Sequence, residues 1–231
     1  MVSALLNRSP KAASLVEVAQ GYSLDFRGSP AEEYIKHRGL DGLATRLGLG
    51  YVASPATGHE KHLGRLAIPY LRPAAGEYAV ATVRFRCINE ACVKNPDGAW
   101  REDEWHEGHG KYQSLTGSRP MLYNTQALIT ASPYVGLSEG EFDAASAELA
   151  GIPTVGVPGV SAWRDHFDPA FLGFEAVFAF TDGDGPGEQF VEKLAERLPN
   201  VVPIGFGKKC DVNKFVNDNG PKALREKCGI A

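Results

Sequence analysis

The second half of the chain carries the clearer alternation of apolar and polar positions. Residues 134–139 (YVGLSE) form a short apolar run that ends in an acid. Residues 142–150 (FDAASAELA) have helical periodicity and are stopped by Gly151-Ile152-Pro153. A brief strand-like run, TVGVPG, follows at 154–159, and AVFAFT at 176–181 leads straight into Asp182-Gly183-Asp184-Gly185. Residues 187–198 (GEQFVEKLAERL) read as an amphipathic helix, and 201–206 (VVPIGF) as a further strand that leads to CDVNKFV at 210–216. Short strands alternating with helices predict a mainly parallel sheet covered by helices on both faces. Ligands of such sheets bind beyond the carboxyl ends of the strands, which is where the acids fall.

The first half reads differently. The pattern predicts a short helix from Lys11 to Ala19, ended by Gly21. A second helix starts at Ser29-Pro30, with serine as cap, proline as first helical residue and Glu32 and Glu33 at the positive end of the dipole. It stops at Gly39, and LGLGY (47–51) turns into a strand. Two strands are expected at 64–70 and 78–87 around a turn at 73–76. In the second of these, alternation puts Val80, Thr82, Arg84 and Arg86 on one face and Ala81, Val83, Phe85 and Cys87 on the other. The polar, glycine-containing residues 90–110 read as an inserted loop, and the chain is expected back in the sheet near Met121–Tyr123.

Composition narrows the classes. With 231 residues, 43% hydrophobic and 23% charged, the chain can bury a core and is not wholly disordered. No stretch reaches the roughly 18 apolar residues of a membrane span, and the N-terminus lacks the apolar region of a secretory signal. Four cysteines are too few for a disulfide scaffold, so a reducing, cytoplasmic setting is expected. The net charge of −4 is unevenly spread. Residues 1–133 hold 15 basic and 13 acidic side chains, and residues 134–231 hold 9 and 15. Five of the first-half acids lie between Asp97 and Glu107, and without that stretch the first part is clearly basic. A basic part joined to an acidic part suits polyanion binding beside a metal site.

The acids carry the chemistry. Glu139 ends one strand, with Asp143 one helical turn on. Asp182 and Asp184 end another, and Asp211 follows a third. Carboxylates gathered at one rim repel unless cations neutralise them, and hard oxygen donors select Mg²⁺ or Mn²⁺.

In this order and spacing, EGEFD (139–143), DGDGPG (182–187) and CDVNKFV (210–216) resemble the Toprim domain of bacterial-type DNA primases. SPAEEYIKHRGL…LGLGYV resembles the opening of the primase catalytic core, GRLAIPYLRPAAGEYAVATVRFR its strand pair, and GKYQSLTGSRPMLYN its basic segment before Toprim. The resemblance covers roughly residues 29–220 and suggests a compact phage-encoded member. It implies an α+β primase subdomain over 1–133, with an insertion at about 88–110. An α/β Toprim domain with a mainly parallel central sheet and flanking helices then follows over 134–231.

By that resemblance Glu139, Asp182 and Asp184 are catalytic, and Glu139, Asp143, Asp182, Asp184 and Asp211 hold the divalent metals. Asn213 stands where such primases often carry another acid, and its amide oxygen is a candidate substitute. Arg65, Arg84, Arg86, Lys111 and Tyr112 match the surface for template and nucleotide phosphates, with Tyr112 available to stack on a base. The implied activity is synthesis of short RNA primers from NTPs on single-stranded DNA. A Toprim nuclease is the alternative. A replicative helicase or a separate zinc-binding primase subunit is the expected partner, because neither domain is recognised in this chain.

One further group stands apart. Cys87, Cys92, His106 and His109 have the form C-x4-C-x13-H-x2-H, near a structural zinc spacing but with the histidines closer than the usual three to five residues. That short spacing favours a buried strand cysteine and free histidines over zinc. His37, His59, His62 and His166 read as surface residues.

Overall fold

The structure, a computed structural model, describes residues 14–74, 77–182, 185–208 and 210–230. Ser14 opens helix α1 (Leu15–Leu24) with a capping box closed by Glu17. Residues 11–13 lie outside the described residues. Nor does Gly21 end it: α1 continues to Leu24, because Tyr22 is buried beyond that glycine and the packing outweighs glycine's weak helix propensity. Helix α2 (Pro30–His37) starts as expected, with the Ser29 hydroxyl accepting from the amides of Ala31 and Glu32.

Four strands form an antiparallel sheet in the order β1-β2-β3-β4, with β1 Gly50–Tyr51, β2 Leu66–Ala74, β3 Glu77–Arg86 and β4 Tyr112–Ser114. Ala81 is the extra residue of a bulge, since Tyr70 pairs with Thr82 but Leu71 pairs with Val80. The chain rejoins this sheet at β4, earlier than the Met121–Tyr123 expected from the pattern. Tyr123 instead bridges to Gly156 on the other sheet. A Cβ at Gly156 would sit 2.9 Å from the Gly140 carbonyl oxygen and 3.3 Å from the Tyr123 Cβ, so only glycine allows three segments to meet there. The insertion is not a bare loop. It contains helix α3 (Glu90–Val93), capped by Asn89, and a Lys94–Trp100 bridge.

The second sheet is parallel throughout, in the order β6-β5-β7-β8, with β5 Tyr134–Ser138, β6 Thr154–Gly156, β7 Ala176–Thr181 and β8 Val201–Gly205. Helix α4 (Glu141–Leu149) connects β5 to β6, and α5 (Gly185–Arg197) connects β7 to β8. Helices α6 (Val212–Asn219) and α7 (Pro221–Lys227) follow, neither anticipated from the pattern. Alternation along β7 sends Val177 to a core with Leu194 of α5 and Leu198 just beyond it. Phe178 and Phe180 face a second core with Ala147, Val216 and Leu224 of α4, α6 and α7. Helices thus cover both faces, as the sequence predicts. Alanines 144 and 145 and Phe142 of α4 also enter the core around α2 and β2, which seats the parallel sheet against the first part of the chain.

Candidate functional site

From β5 the chain steps to β6 on one side, and β7 lies on the other, so strand order reverses between β5 and β7. This is the switch point where open α/β sheets bind ligands. Glu139 follows β5 there and Asp182 follows β7, both half-buried. Asp143 stands in the first turn of α4, its Oδ1 accepting from the Asn213 amide at 3.1 Å. Asp211 caps α6, accepting from the Lys214 amide at 2.7 Å. Asp184 lies outside the described residues.

The acids of the rim crowd one another. Burial first, then the charges of Asp211 and Asp182, push the Asp143 carboxyl well above the ordinary carboxylate range. A divalent cation would relieve that repulsion, and an all-oxygen donor set fits Mg²⁺ or Mn²⁺. Asn213 is held by hydrogen bonds within the chain. Its amide oxygen accepts from Arg38 at 3.2 Å, and its amide nitrogen donates to the Ser146 hydroxyl and the Arg38 carbonyl, which ties α6 to α4 and to the end of α2.

Beside the rim lies a group of cations gathered on one carboxylate. Arg86 is 1% exposed and donates through Nη2 to both oxygens of Glu104, at 2.7 and 2.9 Å. Arg38 donates to Glu104 at 2.9 Å, and the Tyr34 hydroxyl donates to it at 2.7 Å while accepting from Arg86 Nε and Arg38 Nε. Lys111 approaches to 3.8 Å with 46% of its side chain exposed. Burial alone would raise the Glu104 carboxyl, but Arg86, Lys111 and the Tyr34 hydroxyl hold it far below the carboxylate range. Burial pushes Tyr34 up to about 12. Three cations share one anion, and the excess reaches the rim: Arg38 acts on Asp143, and Asp211 acts on Lys111.

The expected basic surface is therefore partly covered: Arg86 is buried, Arg65, Arg84 and Tyr112 are half-buried, and Lys111 is exposed. Arg84 donates to Glu141 Oε1 at 2.6 Å, and the Tyr70 hydroxyl donates to the same oxygen. Both Arg84 and Arg86 lie over the Tyr112 ring, at 4.6 and 4.8 Å from its centre, so that ring is already covered. Helix α2 and the insertion close over the face that alternation assigned to Arg86. Arg84 does border a polar cleft with Ser114, Ser118 and Arg119, residues that the sequence reading did not select. Arg65 lies away from the rim, lining a different cleft with Cys87 and His109. Two histidines expected at the surface are interior: His62 is fully buried and stacked on Phe85 at 3.7 Å, and His59 Nδ1 pairs with the Tyr22 hydroxyl at 2.9 Å. The ligand atoms of Cys87, Cys92, His106 and His109 all lie within 4.8 Å of one another, and among the described residues no other group of acids, cysteines or histidines closes so tightly.

No family model matches the chain. The Gene 57 protein of Mycobacterium phage D29 is 40% identical over 167 residues, covering 71% of this chain and 97% of that protein. The Aquifex aeolicus primase, solved as its zinc-binding and RNA polymerase domains, superposes with a TM-score of 0.71 at 21% identity. That alignment covers 93% of this chain but 59% of the Aquifex one. A DnaG primase catalytic domain solved bound to single-stranded DNA gives a TM-score of 0.67 at 17% identity, over 91% of this chain and 75% of the other. The fold is that of the bacterial primase catalytic core.

Proposed function

We propose that this chain, which belongs to the family of the Mycobacterium phage D29 Gene 57 protein, is a compact phage-type primase. Its reaction is the synthesis of short RNA from NTPs on single-stranded DNA. The observation that carries this reading is the facing of two opposite fields at the switch point. Asp143, Asp182 and Asp211 gather like charge at the rim and raise the Asp143 carboxyl, and the Arg38–Arg86–Lys111 group beside it brings three cations to the single carboxylate of Glu104.

Residues 134–231 are read as the Toprim domain and residues 1–133 as the template-binding part. Glu139, Asp143, Asp182, Asp184 and Asp211 would hold Mg²⁺ or Mn²⁺. Such ions activate a 3′-hydroxyl and neutralise charge on the leaving pyrophosphate. Lys111 is the exposed member of the cation group and would meet a template phosphate. The cleft lined by Arg84, Ser114, Ser118 and Arg119 offers a guanidinium pair and two hydroxyls suited to a nucleotide's phosphates. Arg86 and Glu104 act behind these groups as positioning residues, since neither reaches solvent freely.

The experiment is incubation of the chain with single-stranded DNA, NTPs and Mn²⁺ or Mg²⁺. New short RNA that requires both template and metal supports the primase. Shortened template without new RNA overturns it in favour of a nuclease at the same acids.

A further inference from the structure

We propose that Cys87, Cys92, His106 and His109 form a structural zinc site inside the primase-like core, built to pin the insertion. Four observations point to it. First, the four ligand atoms lie within 4.8 Å of one another, with His109 Nε2 3.2 Å from Cys87 Sγ and 3.6 Å from Cys92 Sγ. A tetrahedral zinc with sulfur at roughly 2.3 Å and nitrogen at roughly 2.0 Å would draw such a group together with small side-chain shifts.

Second, each histidine has its other ring nitrogen anchored. His109 Nδ1 lies 2.9 Å from the Glu107 carbonyl oxygen, to which it donates, leaving Nε2 with a lone pair toward the sulfurs. His106 Nε2 lies 3.0 Å from Glu104 Oε2, and a proton on it leaves Nδ1 as the free acceptor. That His106 Nδ1 is buried and has no hydrogen-bond partner. Orientation by a carbonyl or carboxylate on the far nitrogen is the usual outer shell of a zinc-bound histidine.

Third, the backbone holds the ligands in place. The Cys87 amide donates to the Lys111 carbonyl at 2.9 Å, extending the β3–β4 ladder by one residue. Asn89 caps α3 and the Cys92 amide donates to its carbonyl, while the Cys92 carbonyl accepts from the Trp105 amide at 2.9 Å, setting His106 beside it. Fourth, a cleft lined by Pro30, Arg65, Cys87 and His109 leads from solvent to the cluster, an entry path for the ion.

The short histidine spacing is no obstacle in this geometry. Ligand pairs three to five residues apart suit a helix, where both rings must share one face. Here the two rings rise from an irregular turn with a positive φ at Gly108, stand perpendicular to one another, and use different nitrogens. On binding, the two thiols release their protons and the thiolates and imidazoles bond to Zn²⁺ without redox change. Through His106 the site also fixes Glu104, and through Glu104 the Arg38–Arg86–Lys111 group.

The test is elemental analysis of the intact chain, produced in zinc-supplemented medium and purified without chelator. The expected result is about one zinc per chain. Replacement of the zinc by Co²⁺ should give intense visible bands of a tetrahedral site and a near-ultraviolet thiolate-to-cobalt band. Cys92→Ser and His109→Ala should each lose the metal, whereas Asp211→Asn should retain it. Zinc far below stoichiometric in the wild type, with no thiolate–cobalt band on titration, overturns the proposal. So does loss of zinc in Asp211→Asn with retention in Cys92→Ser, which would place the metal at the acidic rim. If Cys92→Ser fails to fold, the cobalt spectrum of the wild type decides alone, since only thiolate ligands produce that band.

Discussion

The molecule places two groups of charge side by side and treats them in opposite ways. Around Glu104 each buried charge has its partner: two guanidiniums, an ammonium and a phenol converge on one carboxylate, and its proton affinity falls. Around Asp143 like charges accumulate, and its proton affinity rises. Both groups contain charged side chains with little access to water. The first gathers on a counter-charge supplied by the chain itself, Glu104. In the second, like charges perturb Asp143, and perturbed carboxyls of that kind cluster where something binds. Position in the fold agrees, because the acidic group sits at the switch point of the parallel sheet.

The sharpest way to break this comparison is to neutralise one charge on each side. Asp182→Asn should leave folding intact or slightly strengthened, because it relieves repulsion on Asp143. Primer synthesis should fall by about 100-fold or more, the several kcal/mol expected when a metal ligand is lost. A thermal melt and a primer-yield assay on the same sample check both halves. Unchanged yield would remove Asp182 from the metal site.

Glu104→Gln should do the reverse. It leaves Arg86, almost wholly buried, without its counter-charge, and should cost about 3–5 kcal/mol of stability in denaturant titration. A loss below about 1 kcal/mol would mean that the cation group is held by its tyrosines and backbone rather than by the carboxylate.

Lys111→Ala samples the border between the two groups. Its ammonium is half-exposed and 3.8 Å from Glu104, so stability should change little. Single-stranded DNA binding should weaken, and the dependence of log affinity on log salt should flatten by about 0.7, one phosphate contact's share. A salt slope equal to the wild type's would place Lys111 off the template path.

Much of the acidic side was legible from sequence and much of the basic side was not. Strand-then-acid at Glu139 and Asp182 is a local signal, and the helix starts at Ser29-Pro30 and after Gly140 are local too. Alternation correctly grouped Arg84 with Arg86, but it cannot say what lies on a face. The cover comes from α2 and the insertion, tens of residues away. The return to the sheet at Tyr112–Ser114 was masked by its polar sequence, since that strand is only three residues long. The cysteine–histidine group shows the same limit. A spacing rule drawn from helices undervalued two histidines that a turn at Gly108 brings together. The four residues stand out in sequence, but only the fold shows that their ligand atoms meet.

His62 offers the gentlest test of whether interior groups of the first part are settled without outside help. It is fully buried, its ring stacked on Phe85, with Lys61, His59 and Arg65 near it. Burial, followed by those neighbouring charges, lowers its pKa from 6.5 to about 4. The folded protein therefore keeps His62 neutral where the unfolded chain would protonate it. The stability tied to the neutral ring is fully present above about pH 6.5, and it drains away as pH falls from there toward 4. The expected loss is about 1–2 kcal/mol over that window, after allowing for solvent screening around the ring. Other carboxylates also titrate near the lower end, so the measurement is a difference. Melting profiles of the wild type and His62→Phe should diverge between pH 6.5 and 4.5, with the wild type falling more steeply. Parallel profiles would mean that His62 takes up its proton inside the fold. The first part would then tolerate an unpaired buried charge, contrary to the way it treats Arg86.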